Sequence, residues 1–232
     1  MAEETEHAKF AQAAYKLNTT KNKDARMADA DDIIPDGYST HANSDSNVGL
    51  YINHDKKTAV IAHRGTALDQ HSRKTDVAAD LSYALGLEKH SKAFKKRVKK
   101  SEKLLNDVPE GYAVDLTGHS YGGATALHTL QKSSKVRNRV NKAHLYNPLM
   151  SAFDSKTHTS GNENEKDAEA NIKNKTTIHR VKGDIVSMNK SKLTKIKHHK
   201  PKGKARKSVP GVFRNAFNTV NQLATHSIAN FT

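Results

Sequence analysis

Hydrophobic positions along the 232-residue chain repeat with two spacings, about two residues in some stretches and three to four in others. The first spacing marks strands and the second helices. Residues 4–17 carry Ala8, Ala11, Ala14 and Tyr15, flanked by Phe10 and Leu17, which predicts an amphipathic first helix. Residues 18–32 are polar and charged, and Pro35-Asp36-Gly37 marks a turn. VGLYIN (48–53) and TAVIAH (58–63), joined by His54-Asp55-Lys56-Lys57, read as a β-hairpin. The second of these strands is continuously apolar, as a strand buried on both faces would be. Residues 67–90 are mixed, polar first and then Ala-rich. In residues 91–107, Phe94, Val98 and Leu105 are spaced helically among lysines. This predicts a surface helix with a basic outer face, ended by Pro109-Glu110-Gly111.

The stretch YAVDLTGHSYGGATALHTL (112–130) changes period in its middle. Tyr112, Val114 and Leu116 alternate with Ala113, Asp115 and Thr117. From Tyr121 onward the chain is Ala-rich, with Ala124, Leu127, His128 and Leu130 on roughly one helical face. A short strand follows at KAHLYNP (142–148), stopped by Asn147-Pro148. Residues 153–175 are polar and read as a loop or excursion, and TTIHRVKGD (176–184) reads as a strand ending in a turn. Residues 189–208 hold Pro201 and Gly203, with Pro210 just beyond, and cannot be one helix. Residues 212–231 space Phe213, Phe217, Val220 and Leu223 as a closing helix, with His226 near its end. Strands alternating with helices predict a layered α/β fold with a mostly parallel central sheet, opened by the antiparallel hairpin. The whole of 1–232 reads as a single domain, with the polar excursion at 153–175 and a basic insertion at 189–208.

Composition narrows the setting. Hydrophobic residues make up 35% and mean hydropathy is −0.80, lean for a compact globule. With no cysteine there is no disulfide framework and no thiolate chemistry. The acidic start MAEETEHAKF lacks the apolar core of a signal peptide, and no apolar run reaches transmembrane length. The expected location is therefore intracellular, in the cytoplasm or packaged in a particle. Net charge is +15 and unevenly placed. After Asp184 there is no acidic residue, whereas Lys190, Lys192, Lys195, Lys197, Lys200, Lys202, Lys204, Arg206, Lys207 and Arg214 add ten positive charges. Such a block attracts polyanions: an anionic membrane, an acidic protein or, less favoured, nucleic acid. The plain alternative is a solvated loop.

The chemistry centres on Gly118-His119-Ser120-Tyr121-Gly122, a G-x-S-x-G between a strand and a helix. That context suits a nucleophile. The glycines let strand and helix approach closely, the serine is pushed out on a strained backbone, and the helix N-terminus lies beneath it. A serine hydroxyl needs a base and an orienting acid, and in such enzymes the chain order is Ser, acid, His. Of the histidines after Ser120, His198 and His199 sit in a lysine run that disfavours an imidazolium. Beyond the helix that carries His128 there remain His144, His158 and His179, but His226, with no charged neighbour in sequence, is the chosen base. Asp154 and Asp167 fall in the polar excursion; Asp184, just past a strand's C-terminal end, is the chosen acid. The backbone N–H of Tyr121 supplies one oxyanion donor, and Thr66, behind the buried strand 58–63, supplies the second. No metal or cofactor is called for. There is no P-loop or dinucleotide fingerprint, His198-His199 is a poor metal site, and Asp29, Asp31, Asp32 and Asp36 do not fit a calcium loop.

Taken together, IAHRGT (61–66), TDVAADLSYALG (75–86), TGHSYGGATAL (117–127), LYNP (145–148), HRVKGDIVSM (179–188) and HSIANF (226–231) resemble the class 3 lipases in order and rough spacing. The resemblance spans about residues 5–231. It implies an α/β-hydrolase fold and hydrolysis of carboxylic esters, of acylglycerols or phospholipids. It implies Ser120, Asp184 and His226 as triad, Thr66 and Tyr121 at the oxyanion hole, and no catalytic metal. The chain departs from the family at His63, where an aromatic residue is common, and at Tyr121, where leucine is common. ALDQHSRKTD, where a lid should follow Arg64-Gly65-Thr66, is too polar for a lid's apolar underside, and there is no Trp to anchor in lipid. The alternative reading is a basic lipase-like scaffold that binds nucleic acid, anionic membrane or a larger particle with weak or no catalysis.

Overall fold

A computed structural model describes residues 2–18, 22–65, 90–149, 164–182, 195–200 and 227–232. Among these, seven strands form one sheet in sequence order. They are β1 (Ser39–Thr40), β2 (Val48–Asn53), β3 (Thr58–His63), β4 (Ala113–His119), β5 (Val140–Tyr146), β6 (Thr176–Val181) and β7 (Lys195–His199). The β1–β2 and β2–β3 pairs are antiparallel, and every pair from β3 to β7 is parallel. The helices are α1 (Ala2–Lys16), α2 (Lys23–Asp31), α3 (His90–Asn106), α4 (Tyr121–Lys132), α5 (Ser134–Arg139) and α6 (Glu165–Lys175). Ile228–Asn230 forms a single 3₁₀ turn.

The sheet is covered on both faces, and β3 shows why its sequence is apolar throughout. Ala59 and Ile61 join a core with Leu104, Leu127, Leu130 and Ile172 from α3, α4 and α6. Val60 and Ala62 join a second core with Phe10, Ala13 and Ala14 of α1 and Ala30 of α2. Alternate side chains of one strand thus serve opposite layers. The predicted hairpin at 48–53 and 58–63 has the observed bounds, and its register pairs Val48 with His63 and Asn53 with Thr58.

Several expectations need correcting. The polar stretch 18–32 contains α2, started by the Asn22 side chain, which accepts from the N–H groups of Asp24 and Ala25 at 2.9 and 3.2 Å. Alanine is its sole buried residue, so hydrophobic period gave no signal. The buried face of α3 runs through Arg97, Ser101, Leu104 and Leu105, whereas Phe94 and Val98 are only half-buried. Helix α4 is not one-faced: ten of its twelve residues are buried, because it lies between the sheet and α3. The supposed excursion 153–175 includes α6, capped by Asn164 and buried through Ala168 and Ile172, which are four residues apart. Its first turn holds Glu165 and Asp167 and its last turn Lys173 and Lys175, both signs matched to the helix dipole. The basic insertion 189–208 is not an insertion over its middle. Lys195–His199 is the seventh strand, paired with Thr177–Val181. The end of the expected closing helix, at 228–230, is a 3₁₀ turn, while 212–226 lie outside the described residues.

Candidate functional site

Strand β4 delivers the chain to Ser120 at the C-terminal edge of the sheet, and α4 starts at the next residue. Ser120 has φ 57° and ψ −125°, a conformation that non-glycine residues rarely adopt. Such a backbone costs on the order of 1–3 kcal/mol and persists only where its surroundings fix it. The fixing contacts are main-chain bonds on both sides. Ser120 N–H donates to the Tyr146 carbonyl at 3.0 Å, and the Ser120 carbonyl accepts from Ala124 and Leu149 N–H at 3.1 Å each.

The motif's glycines are required by close approach. A Cβ on Gly118 would stand 2.5 Å from the Gly122 backbone, and one on Gly122 would stand 2.1 Å from the His63 carbonyl oxygen. Gly122 therefore seats α4 directly on the end of β3, whose His63 pairs in register with Gly118. The chain leaving β3 is equally tight. A Cβ on Gly65 would meet the Tyr15 hydroxyl at 2.0 Å and the His119 carbonyl at 2.8 Å. The Tyr15 hydroxyl itself bonds His119 Nδ1 at 2.8 Å, bracing the motif from α1.

Two buried groups on the other side hold this junction. His63 is fully buried, its Nδ1 3.0 Å from Thr125 Oγ1 and its Nε2 2.9 Å from Ser101 Oγ. Burial, with Arg97 and His128 adding like charge, holds its pKa well below the usual histidine range. Arg97 is buried too. Its guanidinium donates to the Arg64 carbonyl, to Thr125 Oγ1 at 3.3 Å and to Asn47 Oδ1 at 3.4 Å, and lies over the Tyr121 ring at 4.9 Å. Burial lowers its pKa to about 10, so it stays charged at neutral pH. In the sequence Arg97 stands among the lysines of a helix with a basic outer face, and Tyr15 in the amphipathic first helix, so neither spacing points to this junction. An open cavity of about 560 Å³ beside this junction is lined by Tyr121, Arg97, Asn47, Asp45 and the lysines at 96, 99, 100 and 103.

Of the predicted site residues, the structure brings together Gly118, His119, Ser120, Tyr121 and Gly122. Thr66, Asp184 and His226 lie outside the described residues. The chain that leads to each is described. Gly65 packs on the motif, as above. Lys182 follows β6, donating its N–H to the His199 carbonyl at 2.8 Å. Ser227 caps the 3₁₀ turn, and Phe231 of that segment packs on Tyr146 with ring centroids 4.9 Å apart. Tyr146 is the residue whose carbonyl holds Ser120 N–H. Asn147, with φ 39°, joins the ends of β5 and β6: its N–H donates to the His179 carbonyl at 2.8 Å and its side chain accepts from Val181 N–H at 2.9 Å. The passed-over histidines His144, His179 and His199 bond one another on the α1 side of the sheet. Asp167 lies in the first turn of α6.

The sheet, its antiparallel opening and the strained serine between β4 and α4 make up the α/β-hydrolase arrangement. The solved structures that the chain resembles include fungal lipases. A lipase from Rhizopus microsporus var. chinensis shares 16% identity at a TM-score of 0.49, over 99% of this chain and 85% of the other. Another fungal lipase shares 15% at 0.47, over 99% and 92%. MDLA from Penicillium cyclopium, in a mutant form, shares 13% at 0.46, over 90% and 82%. No protein-family model matches the chain, and no curated protein matches it.

Proposed function

We propose that the protein is a serine hydrolase of carboxylic esters that works through an acyl-enzyme on Ser120. The observation that carries this reading is the backbone of Ser120: φ 57° on a non-glycine residue, at a turn whose glycines leave no room for a Cβ. A purely structural turn at this point would be relieved by glycine, whereas a nucleophile has to keep its side chain.

In the proposed reaction Ser120 Oγ adds to the ester carbonyl while His226 takes the hydroxyl proton, and Asp184 holds the resulting imidazolium. The carbonyl oxygen becomes an oxyanion, met by Tyr121 N–H at the start of α4 and by Thr66, the residue after Gly65. The C–O bond breaks, the alcohol leaves with the proton from His226, and water hydrolyses the acyl-enzyme by the same path. Arg97 is a positioning residue. By holding the Arg64 carbonyl it fixes the chain two residues before Thr66.

We assign the substrate to lipid esters, acylglycerol or phospholipid. The lysines at 96, 99, 100 and 103 beside Tyr121 favour esters presented at an anionic surface. A basic residue near such a surface contributes about 1 kcal/mol. The deciding experiment is turnover of a short-chain chromogenic ester by wild type and Ser120→Ala. Loss of a triad nucleophile costs up to about 10⁶-fold in turnover, and equal rates would reject the reading. The same lysines support a second reading, a lipase-like scaffold that binds polyanions with weak or no catalysis. It predicts log K falling with log salt at a slope near −0.9 per phosphate neutralised, in a protein with little or no ester turnover.

A further inference from the structure

On the α1 side of the sheet, three residues far apart in sequence point donor atoms at one spot. Glu4 comes from α1, His179 from β6 and His199 from β7, and one ligand atom from each lies within 4.8 Å of the other two. We propose that Glu4, His179 and His199 bind a divalent transition-metal ion of the zinc type, fastening the first helix to the last two strands of the sheet.

Two imidazoles and a carboxylate match the borderline-soft preference of such ions, and leave a fourth tetrahedral position for water. Bonds of about 2.0–2.1 Å put tetrahedral donors about 3.4 Å apart. His179 Nδ1 and His199 Nε2 are already 3.1 Å apart. Two ring nitrogens facing each other at that distance share either a proton or a metal ion.

The proton arrangement favours binding. To offer Nδ1 to a metal, His179 must carry its hydrogen on Nε2. That atom has a partner waiting, His144 Nδ1 at 3.0 Å. A ligating histidine usually donates its other N–H in this way, which orients the ring. Tyr146 stacks on the His179 ring at 4.7 Å and also donates its hydroxyl to the Glu4 carbonyl, so one side chain braces two of the three ligands. Burial and neighbouring histidines keep His179 neutral, at a pKa of about 2, and burial lowers that of His199 as well. Both rings are thus in the form a metal requires.

One group competes. The Lys197 ammonium pairs with a Glu4 oxygen. Its side chain is 54% exposed, so it can turn out to solvent when an ion takes its place. Sequence spacing gave no hint of the site: Glu4 and His179 are far apart along the chain, and the tight pair His198-His199 points to opposite faces of β7.

The test uses the full-length protein stripped with chelator and titrated with Zn²⁺ or Co²⁺ alone. Equilibrium dialysis gives stoichiometry, the visible band of tetrahedral Co²⁺ reports geometry, and Tm is followed against metal concentration. We expect one ion per chain, a tetrahedral Co²⁺ spectrum and a Tm that rises with Zn²⁺. His199→Ala and Glu4→Gln, both at partly exposed positions, should each weaken binding by at least about 10–100-fold, with circular dichroism confirming that each variant is folded. Lys197→Met should tighten it, and His198→Ala should leave it unchanged. Absence of binding, or binding that neither His199→Ala nor Glu4→Gln weakens, would overturn the proposal, the second outcome assigning the metal to other histidines of the chain.

Discussion

The carbonyl oxygen of His63 lies so close to Gly122 that a methyl group added there would stand 2.1 Å from it. This contact joins the end of β3 to the helix behind the nucleophile, and both partners are backbone. Neither can swing aside as a side chain would. Gly122→Ala should therefore push α4 off the sheet, destabilise the protein by about 1–3 kcal/mol and reduce ester turnover. Thermal unfolding checks this, and an unchanged Tm would show that the junction is looser than described.

The strained serine makes an unusual prediction about stability. Glycine in place of alanine normally destabilises, by reason of backbone entropy. At Ser120 the order should reverse. Ser120→Ala keeps a Cβ at φ 57°, whereas Ser120→Gly relieves strain worth on the order of 1–3 kcal/mol. Both variants should be inactive, with the glycine variant unfolding at the higher temperature. Differential scanning calorimetry on the pair decides it.

Arg97 should matter to turnover more than to binding. Its guanidinium holds the Arg64 carbonyl, and its removal frees the chain that carries Gly65 and Thr66. A misplacement of about 1 Å can cost about 100-fold in rate. Arg97→Ala should lower kcat of ester hydrolysis by roughly 10–100-fold with a small change in KM. Arg97→Lys, which keeps one donor, should recover part of it. A change confined to KM would place Arg97 in substrate binding instead.

His63 gives a pH signature. Its folded pKa is held well below the unfolded value of about 6.5. As pH falls through 6.5, the unfolded chain takes up a proton that the folded protein refuses, so stability is present above that pH and lost below it. The slope is up to about 1.4 kcal/mol per pH unit for this group. His63→Phe should flatten the loss between pH 6.5 and 5. The two hydroxyls it leaves behind keep backbone acceptors, Ser101 to the Arg97 carbonyl at 2.9 Å and Thr125 to the Gly122 carbonyl at 3.1 Å. Denaturant unfolding at a series of pH values measures it.

The sheet was legible where hydrophobic period is strong. The hairpin bounds, the apolar β3 and the strand–turn–helix at 112–130 all follow from side chains that must serve two layers. What stayed hidden has a common cause: the signal was not in period. Helix α2 is held by a side-chain cap and one buried alanine. Helix α6 buries little beyond Ala168 and Ile172. Strand β7 has Ile196 as its one apolar residue and is held by main-chain pairing, so its lysines read as a loop. At the site, the motif itself was plain from glycine spacing. The groups that support it were not: Tyr15 and Arg97 reach it from 104 residues and 33 residues away, to His119 and Arg64. A buried arginine bonded to a main-chain carbonyl leaves the same trace in sequence as an exposed one.

If Ser120 is the nucleophile, it is the residue that a covalent probe of serine hydrolases should mark. A fluorophosphonate probe reacted with the full-length protein, followed by peptide mass spectrometry, should place one adduct on Ser120 and none in Ser120→Ala. Labelling that persists in the alanine variant, or a folded wild type that takes no label, would contradict it.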